Sequence, residues 1–354
     1  MRLGLSIGYW GMGVGPAEQL ELTLAAEALG YDSVWTAEAY GSDAATVLAW
    51  LAGHTTKIRL GAGILQIPAR SAAMTAMTAA TIDQLSGGRF ILGLGSSGPQ
   101  VSEGWHGVRF GQQLQRTREY VEVVRMALAH QKVEFHGQTM DLPLPDGPGK
   151  ALKLTVHPVQ KPIPIYLAVL GPKNVQLAGE IADGWMPVYF SPEHTAELRA
   201  PLEAGAAAAG RSLDDFRICP MVHTYISDDS ASARDAMRPV LALYVGGMGS
   251  REKNFYNRLV SSYGFEAEAA QVQDLYLEGR RAEAMAALPD ELIDMVTICG
   301  TRDQARARLR AYRDAGVDTL IVSPMAGDNE DRLQQLKVVA ELAQEVERAS
   351  LPRS

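Results

Sequence analysis

Short, densely apolar runs recur along the chain at residues 2–9, 31–37, 58–65, 89–94, 163–169, 185–190, 216–226 and 318–323, each a strand-length segment with no helical period. Between them lie longer stretches whose apolar residues return every three or four positions. Leu20, Leu24 and Ala28 share one face behind Pro16, placed at a first helical turn, with Gly30 placed just past the end. Asp43 or Ser42 caps a helix running to about residue 52, and Ser71 caps one ending near residue 85. Further helices are expected at 114–128, after Gly171-Pro172-Lys173-Asn174, and at 193–209, 301–316 and 331–347. Residues 133–142 read as a hairpin turning on His136-Gly137, followed by a Pro-rich connection.

Eight strands alternating with eight helices predict an α/β fold, a (β/α)8 barrel, with residues 1–354 as a single domain. A doubly wound open sheet is the alternative. An insertion at about residues 240–300, helical and broken at Gly246-Gly247-Met248-Gly249, is expected to form a lid or pocket wall.

In a barrel the chemistry gathers at the C-terminal ends of the strands. The fourth strand ends in Gly95-Ser96-Ser97-Gly98-Pro99, where glycines admit close backbone approach and two hydroxyls and free N–H groups can receive a phosphate without a cation. Gly93, Gly95 and Gly98 have dinucleotide spacing, yet no long helical period opens at the third glycine. Gly171-Pro172-Lys173-Asn174, opening a helix after the fifth strand, is a second anion seat or an ordinary turn. His54, His130 and His157 fall on the opposite face, and His136 in the hairpin. The functional face holds aromatics and few titratable groups, no metal-ligand spacing and no nucleophile elbow. Such a face suits a cofactor that brings its own reactivity.

Composition narrows the partners. With 47% hydrophobic and 21% charged residues, net charge −8 and pI near 5.5, the 354-residue chain reads as globular and acidic, which disfavours nucleic acid and anionic membranes. No apolar run reaches membrane-spanning length, and Cys219 and Cys299 make neither a disulfide framework nor a metal pair, so a cytoplasmic protein is expected.

The segments Asp83-Gln84-Leu85-Ser86-Gly87-Gly88-Arg89-Phe90-Ile91-Leu92-Gly93-Leu94-Gly95, Leu60-Gly61-Ala62-Gly63-Ile64-Leu65, Glu103-Gly104-Trp105-His106-Gly107 and Ala182-Asp183-Gly184-Trp185 occur in the order seen in the luciferase-like superfamily, which the chain resembles over almost its whole length. The nearer likeness is to its deazaflavin-dependent oxidoreductases, relatives of methylenetetrahydromethanopterin reductase and of the glucose-6-phosphate dehydrogenase that uses coenzyme F420. The resemblance implies a luciferase-like barrel, a homodimer, and hydride transfer between C5 of F420 and a small-molecule substrate. FMN with a monooxygenase activity, and a cofactor-binding relative without turnover, are the alternatives.

It further implies a cis peptide at Gly63-Ile64 behind the ring. Gly95, Ser96, Ser97, Gly98 and Val101, joined by Leu170, Gly171 and Pro172, would hold the phosphate and its linker, and Glu38 would contact the ring region. Ala39 stands where the sugar-phosphate dehydrogenases carry a catalytic histidine, which disfavours a sugar phosphate. Glu38, Tyr40 and His106, then Glu103 and His223, are the candidate proton-transfer groups. Tyr9, Tyr40, Trp105 and Tyr189 are the expected substrate walls.

Overall fold

The computed structural model describes residues 1–8, 15–249 and 251–350. Eight parallel strands follow the expected order: β1 Arg2–Gly8, β2 Ser33–Thr36, β3 Arg59–Ala62, β4 Phe90–Gly95, β5 Ile165–Leu167, β6 Gly184–Trp185, β7 in two halves (Arg217–Ile218 and Met221–Ile226) and β8 Thr319–Pro324. One half of β7 pairs with β6 and the other with β8, which in turn pairs with β1, so the sheet closes into a barrel. The open-sheet alternative is thereby removed.

The strands are shorter than their apolar runs. The third run is cut at Gly63, after which Leu65–Gln66 returns to pair with the end of β4. The seventh is cut at Cys219-Pro220, because proline offers no N–H to the ladder.

The helices keep their expected places, and the sequence signals explain their ends. Helix α1 (Pro16–Ala28) starts on its proline and stops where Gly30 takes φ +82°. Helix α2 (Ala44–Ala52) is capped by Asp43, which accepts the Thr46 N–H at 2.7 Å, and α3 (Ala72–Leu85) by Ser71, which accepts the Met74 N–H at 3.1 Å. A six-residue helix, α4 (Pro99–Gly104), follows the glycine-serine loop where no long helical period is legible. Then come α5 (Gln113–Leu128), α6 (Pro172–Ile181) and α7 (Thr195–Ala208). The hairpin turns two residues later than expected, at Gln138-Thr139, with Phe135 opposite Leu142 and Gly137 N–H bonded to Met140 O.

Two layers of packing hold the barrel. Between strands and helices runs one large core that includes Leu5, Val34, Leu60, Leu92, Leu94 and Leu320. Inside, Trp35, Ile91, Tyr166, Met186, Cys219 and Ile321 fill the axis. Trp35 fits only because its neighbours are small: a Cβ on Gly61 would lie 2.2 Å from its ring and one on Gly4 3.0 Å from its indole nitrogen.

The segment Asp83 to Arg89 fastens the chain at the N-terminal side of β4. Buried Asp83 accepts from the Gln160 backbone N–H (2.9 Å) and amide (2.6 Å). Arg89 donates to five oxygens of Ala52, Thr55, Ile58 and Ser86.

Between β7 and β8 the chain adds α8 (Ser230–Ala242), a π-turn at Leu243–Gly247, α9 (Phe255–Ser262), α10 (Glu266–Leu277), α11 (Arg281–Ala286) and α12 (Asp290–Val296). These pack around a second apolar core with Val245, Val260, Val272 and Leu292, starting about ten residues before the expected insertion. Ile298–Gly300 then pairs with the end of β7, and α13 (Arg302–Asp314) and α14 (Asn329–Ser350) complete the ring.

Candidate active site

Alternation along each strand decides which side chains face the axis. Leu5 and Ile7, Val34, Leu60 and Ala62, Leu92 and Leu94, and Val222 and Ile226 belong to the outer core. The inward positions at the strand ends are therefore Ser6 and Gly8, Ala37, Gly63, Gly95, Ala168, His223 and Ser323. Apart from His223 these side chains are small, and Trp35 and Met186 of the inner layer come next along the axis.

At the barrel mouth the Gly63–Ile64 peptide is cis as expected. The Ile64 side chain lies against β4, where a Cβ on Gly95 would come within 2.6 Å of Ile64 Cδ1. Gly93 is tighter still, since its Cβ would sit 1.9 Å from the Ala62 carbonyl oxygen.

The two loops expected to seat an anion are neighbours. Leu94 pairs with Leu167, and the Ala168 N–H donates to Leu94 O at 2.9 Å, so the chain leaves β4 and β5 side by side. Ser97 takes φ +58°. Among the described residues the Ser96 and Ser97 hydroxyls and the N–H groups of Ser97 and Gly98 find no partner. Gly171 takes φ +80° with open space where a side chain would be, at the start of α6, whose Asn174 amide donates to Leu170 O at 3.1 Å. Val101 lies in α4, where its carbonyl accepts the N–H groups of Trp105 and His106.

Glu38 is engaged by the protein itself. Arg70 donates to both its oxygens (Nη1 to Oε2 2.8 Å, Nη2 to Oε1 2.6 Å), and the N–H groups of Ala44 and Gln66 add bonds of 3.2 and 3.1 Å. Arg70 also pairs with Asp43. Burial alone would lower the Arg70 pKa, but Glu38 raises it, and Asp43 is held below the ordinary carboxylate range by Thr46 and Arg70 despite its burial. Through these bonds Glu38 clamps the loops after β2 and β3 together.

Gln66, 2% exposed, extends that clamp. Its amide nitrogen donates to Ala39 O (3.2 Å), and its oxygen lies 2.6 Å from His106 Nε2, which must then carry the proton. Tyr40 and Trp105 stand at the rim, 65% and 67% exposed. Tyr9 lies outside the described residues.

Tyr189, expected as a substrate wall, is buried against the insertion. It takes φ +51°, is 3% exposed, and packs edge-on against Tyr244 and Tyr256 of the insertion at 5.9 and 6.1 Å. Its hydroxyl is buried without a partner among the described residues, and burial carries its pKa well above the ordinary value. Long-range packing, invisible in a single segment, draws it in.

His223 is turned inward on β7. Its Nδ1 is buried without a described partner, and burial pushes the imidazole pKa down to about 4, leaving a neutral ring at the barrel mouth. The period-two pattern Val222, Thr224, Ile226 is the sequence signal that turns it inward.

Residues 6–319 match the family described as luciferase-like monooxygenase, and the chain belongs to that family. It is 46% identical over 330 residues to a Mycobacterium tuberculosis protein assigned as a coenzyme F420-dependent oxidoreductase, covering 91% of this chain and 95% of that one. It is 30% identical over 314 residues to the 5,10-methylenetetrahydromethanopterin reductase of Methanolobus tindarius, covering 88% and 91%. The solved F420-dependent tetrahydromethanopterin reductase of Methanopyrus kandleri shares the fold at a TM-score of 0.83, with 24% identity and coverage of 97% and 98%.

Proposed function

We propose that the protein is a coenzyme F420-dependent oxidoreductase that moves a hydride between C5 of the deazaflavin and a small organic substrate. The observation that carries this reading is the pairing of a flat, glycine-paved floor at Gly63, Ile64 and Gly95 with adjoining loops whose hydroxyls and N–H groups are unspent. Buried or half-buried donors without acceptors are costly unless something else accepts from them. A phosphodiester between the Ser96-Ser97-Gly98 loop and the Gly171-Pro172 turn fits those donors without a cation. Val101 and Leu170 would flank its linker. Bound there, the deazaflavin supplies two-electron hydride chemistry, since carbon replaces the flavin N5.

The protein's share is positional. Ile64 supports the ring from behind, the Glu38–Arg70 clamp holds the two loops that frame it, and Tyr40 and Trp105 stand where they can cover substrate and exclude water. The same relatives support F420 over FMN. Titrating the purified chain with oxidised F420 and, separately, FMN, while following cofactor fluorescence and melting temperature, tests the reading. Stabilisation by F420 supports it, and stabilisation by FMN alone defeats it.

A cytoplasmic homodimer is part of the same proposal. Cys219 and Cys299 are free and buried, as suits a reducing compartment. Helices α2 and α3 present an outer face with no exposed charge, since their one ionisable residue, Asp83, is buried, and on it Met74, Met77 and Leu85 are 49%, 50% and 60% exposed. In a chain with 21% charged residues such a face suits a second copy of itself. Among the described residues no helix is long and apolar enough to cross a membrane.

A further inference from the structure

Two large aromatic side chains stand exposed at the barrel mouth, Tyr40 in the loop after β2 and Trp105 at the end of α4, 65% and 67% exposed. Two such rings beside one mouth suit a flat apolar guest, which covers ring faces that water solvates poorly. The loops that carry them are joined through one buried side chain, Gln66, which is 2% exposed. Its amide nitrogen donates to the Ala39 carbonyl at 3.2 Å, and its amide oxygen meets His106 Nε2 at 2.6 Å. Ala39 precedes Tyr40 and His106 follows Trp105, so each ring neighbours an anchor on the same amide.

The main chain of Gln66 is held as firmly. It pairs in register with Gly95, and its N–H donates to Glu38 Oε2 at 3.1 Å. The Arg70 bonds stop short of this bridge, since they end on Glu38 and Asp43 in the loop after β2. On the other side, the Trp105 and His106 N–H groups donate to Val101 O at 3.0 and 3.1 Å, so the bridge passes into α4, the helix that follows the glycine-serine loop. A carbonyl can only accept, so Ala39 fixes which end of the amide is nitrogen. The oxygen then faces His106, whose Nε2 carries the proton and whose Nδ1 is bonded by no described residue.

The charged side chains of these loops are paired with one another. Arg70 holds Glu38 and Asp43, and Arg109 lies 3.6 Å from Glu103, which also accepts the Phe110 N–H at 3.0 Å. An anionic substrate group would meet no unpaired lysine or arginine in the loops after β2, β3 and β4. Resting on the cofactor reading above, we propose that Gln66 is a positioning residue for substrate binding, which spaces Tyr40 and Trp105 as two jaws, and that the jaws take an uncharged, flat ring compound. Gln66 acts through the backbone of Ala39 and the ring of His106. Removing its amide releases the jaws and leaves the main-chain pairing at Gly95 in place.

The test uses purified full-length protein saturated with oxidised F420 and measures binding of 2-naphthol, indole and 2-naphthyl phosphate by calorimetry. The first two are neutral rings, and the third carries naphthalene on a dianion. Gln66→Met keeps the bulk of the side chain and loses both bonds, while Tyr40→Ala and Trp105→Ala change exposed residues and test the jaws even where Gln66→Met does not fold. The natural protein is expected to bind a neutral ring about 10-fold or more tighter than the phosphate. Each variant should bind that ring about 10-fold more weakly with F420 affinity unchanged. Nitrogen NMR should show His106 locked as the Nε2–H tautomer in the natural protein and mixed in Gln66→Met. Equal binding of the phosphate, or binding of neither neutral ring by the F420-loaded protein, overturns the proposal. So do variants that bind the ring as the natural protein does, an unchanged tautomer in Gln66→Met, or a Gln66→Met that loses F420 together with the ring. Failure of the natural protein to bind F420 overturns the cofactor reading, and this proposal with it.

Discussion

Arg70 grips Glu38 with both guanidinium nitrogens, Nη1 to Oε2 at 2.8 Å and Nη2 to Oε1 at 2.6 Å, across the gap between the loops that follow β2 and β3. The side chains are 15% and 9% exposed, so either one left alone is a poorly solvated charge. Glu38→Ala and Arg70→Ala are each expected to cost about 3 kcal/mol. The double variant should cost clearly less than the sum, because neither charge is then stranded. Urea unfolding of the three variants checks this, and simple additivity would remove the clamp from the account.

The floor at Gly63, Ile64 and Gly95 leads to a second expectation. Gly95→Ala would push its Cβ to 2.6 Å from Ile64 Cδ1, a flexible side-chain end that can shift. The protein should fold with a small loss of melting temperature and bind F420 markedly more weakly, as fluorescence titration would show. Gly93→Ala meets a backbone oxygen at 1.9 Å, which cannot yield, and should lower yield and melting temperature severely.

Acid should release the hairpin at residues 135–142. Glu119, 2% exposed, accepts from Gln115 Nε2 (2.7 Å), the N–H groups of Gln138 (2.6 Å) and Thr139 (2.8 Å), and Thr139 Oγ1 (2.5 Å). Burial opposes the charge, but these donors outweigh it and hold the carboxyl at about 2 instead of 4.5. A pKa depressed in the folded state contributes stability above the unfolded value and loses it as pH falls from about 4.5 towards about 2. Melting temperatures of the natural protein and Glu119→Gln should therefore differ most above pH 5 and converge in that window. A gap that stays constant with pH would contradict the assignment.

The charge-free face of α2 and α3 gives a test of assembly. Met74→Glu with Met77→Glu places two charges on a face that has none exposed. Sedimentation velocity should show a dimer for the natural protein and a monomer for the variant, with circular dichroism unchanged. A natural protein that sediments as a monomer would withdraw the dimer.

The order of strands and helices was legible in the sequence because the signals that make it are local. Apolar runs of strand length, Asp43 and Ser71 as caps, and Pro16 and Gly30 as helix ends each act within a few residues, and the structure keeps every one. The resemblance placed the cis peptide at Gly63-Ile64 and pointed to the glycine-serine loop, whose free donors the structure then exposed. Tertiary structure alone decided what depends on distant partners. Glu38 reads as an available acid until Arg70, 32 residues on, closes over it. Nothing local to Tyr189 reveals that the insertion folds Tyr244 and Tyr256 against it. His223 reads as one polar residue in an alternating strand until barrel closure sets it in register with Ser323 of β8. A sequence specifies which groups a chain owns and how each segment prefers to bend, but a side chain's proton and its partner are fixed by neighbours that only the closed barrel brings together.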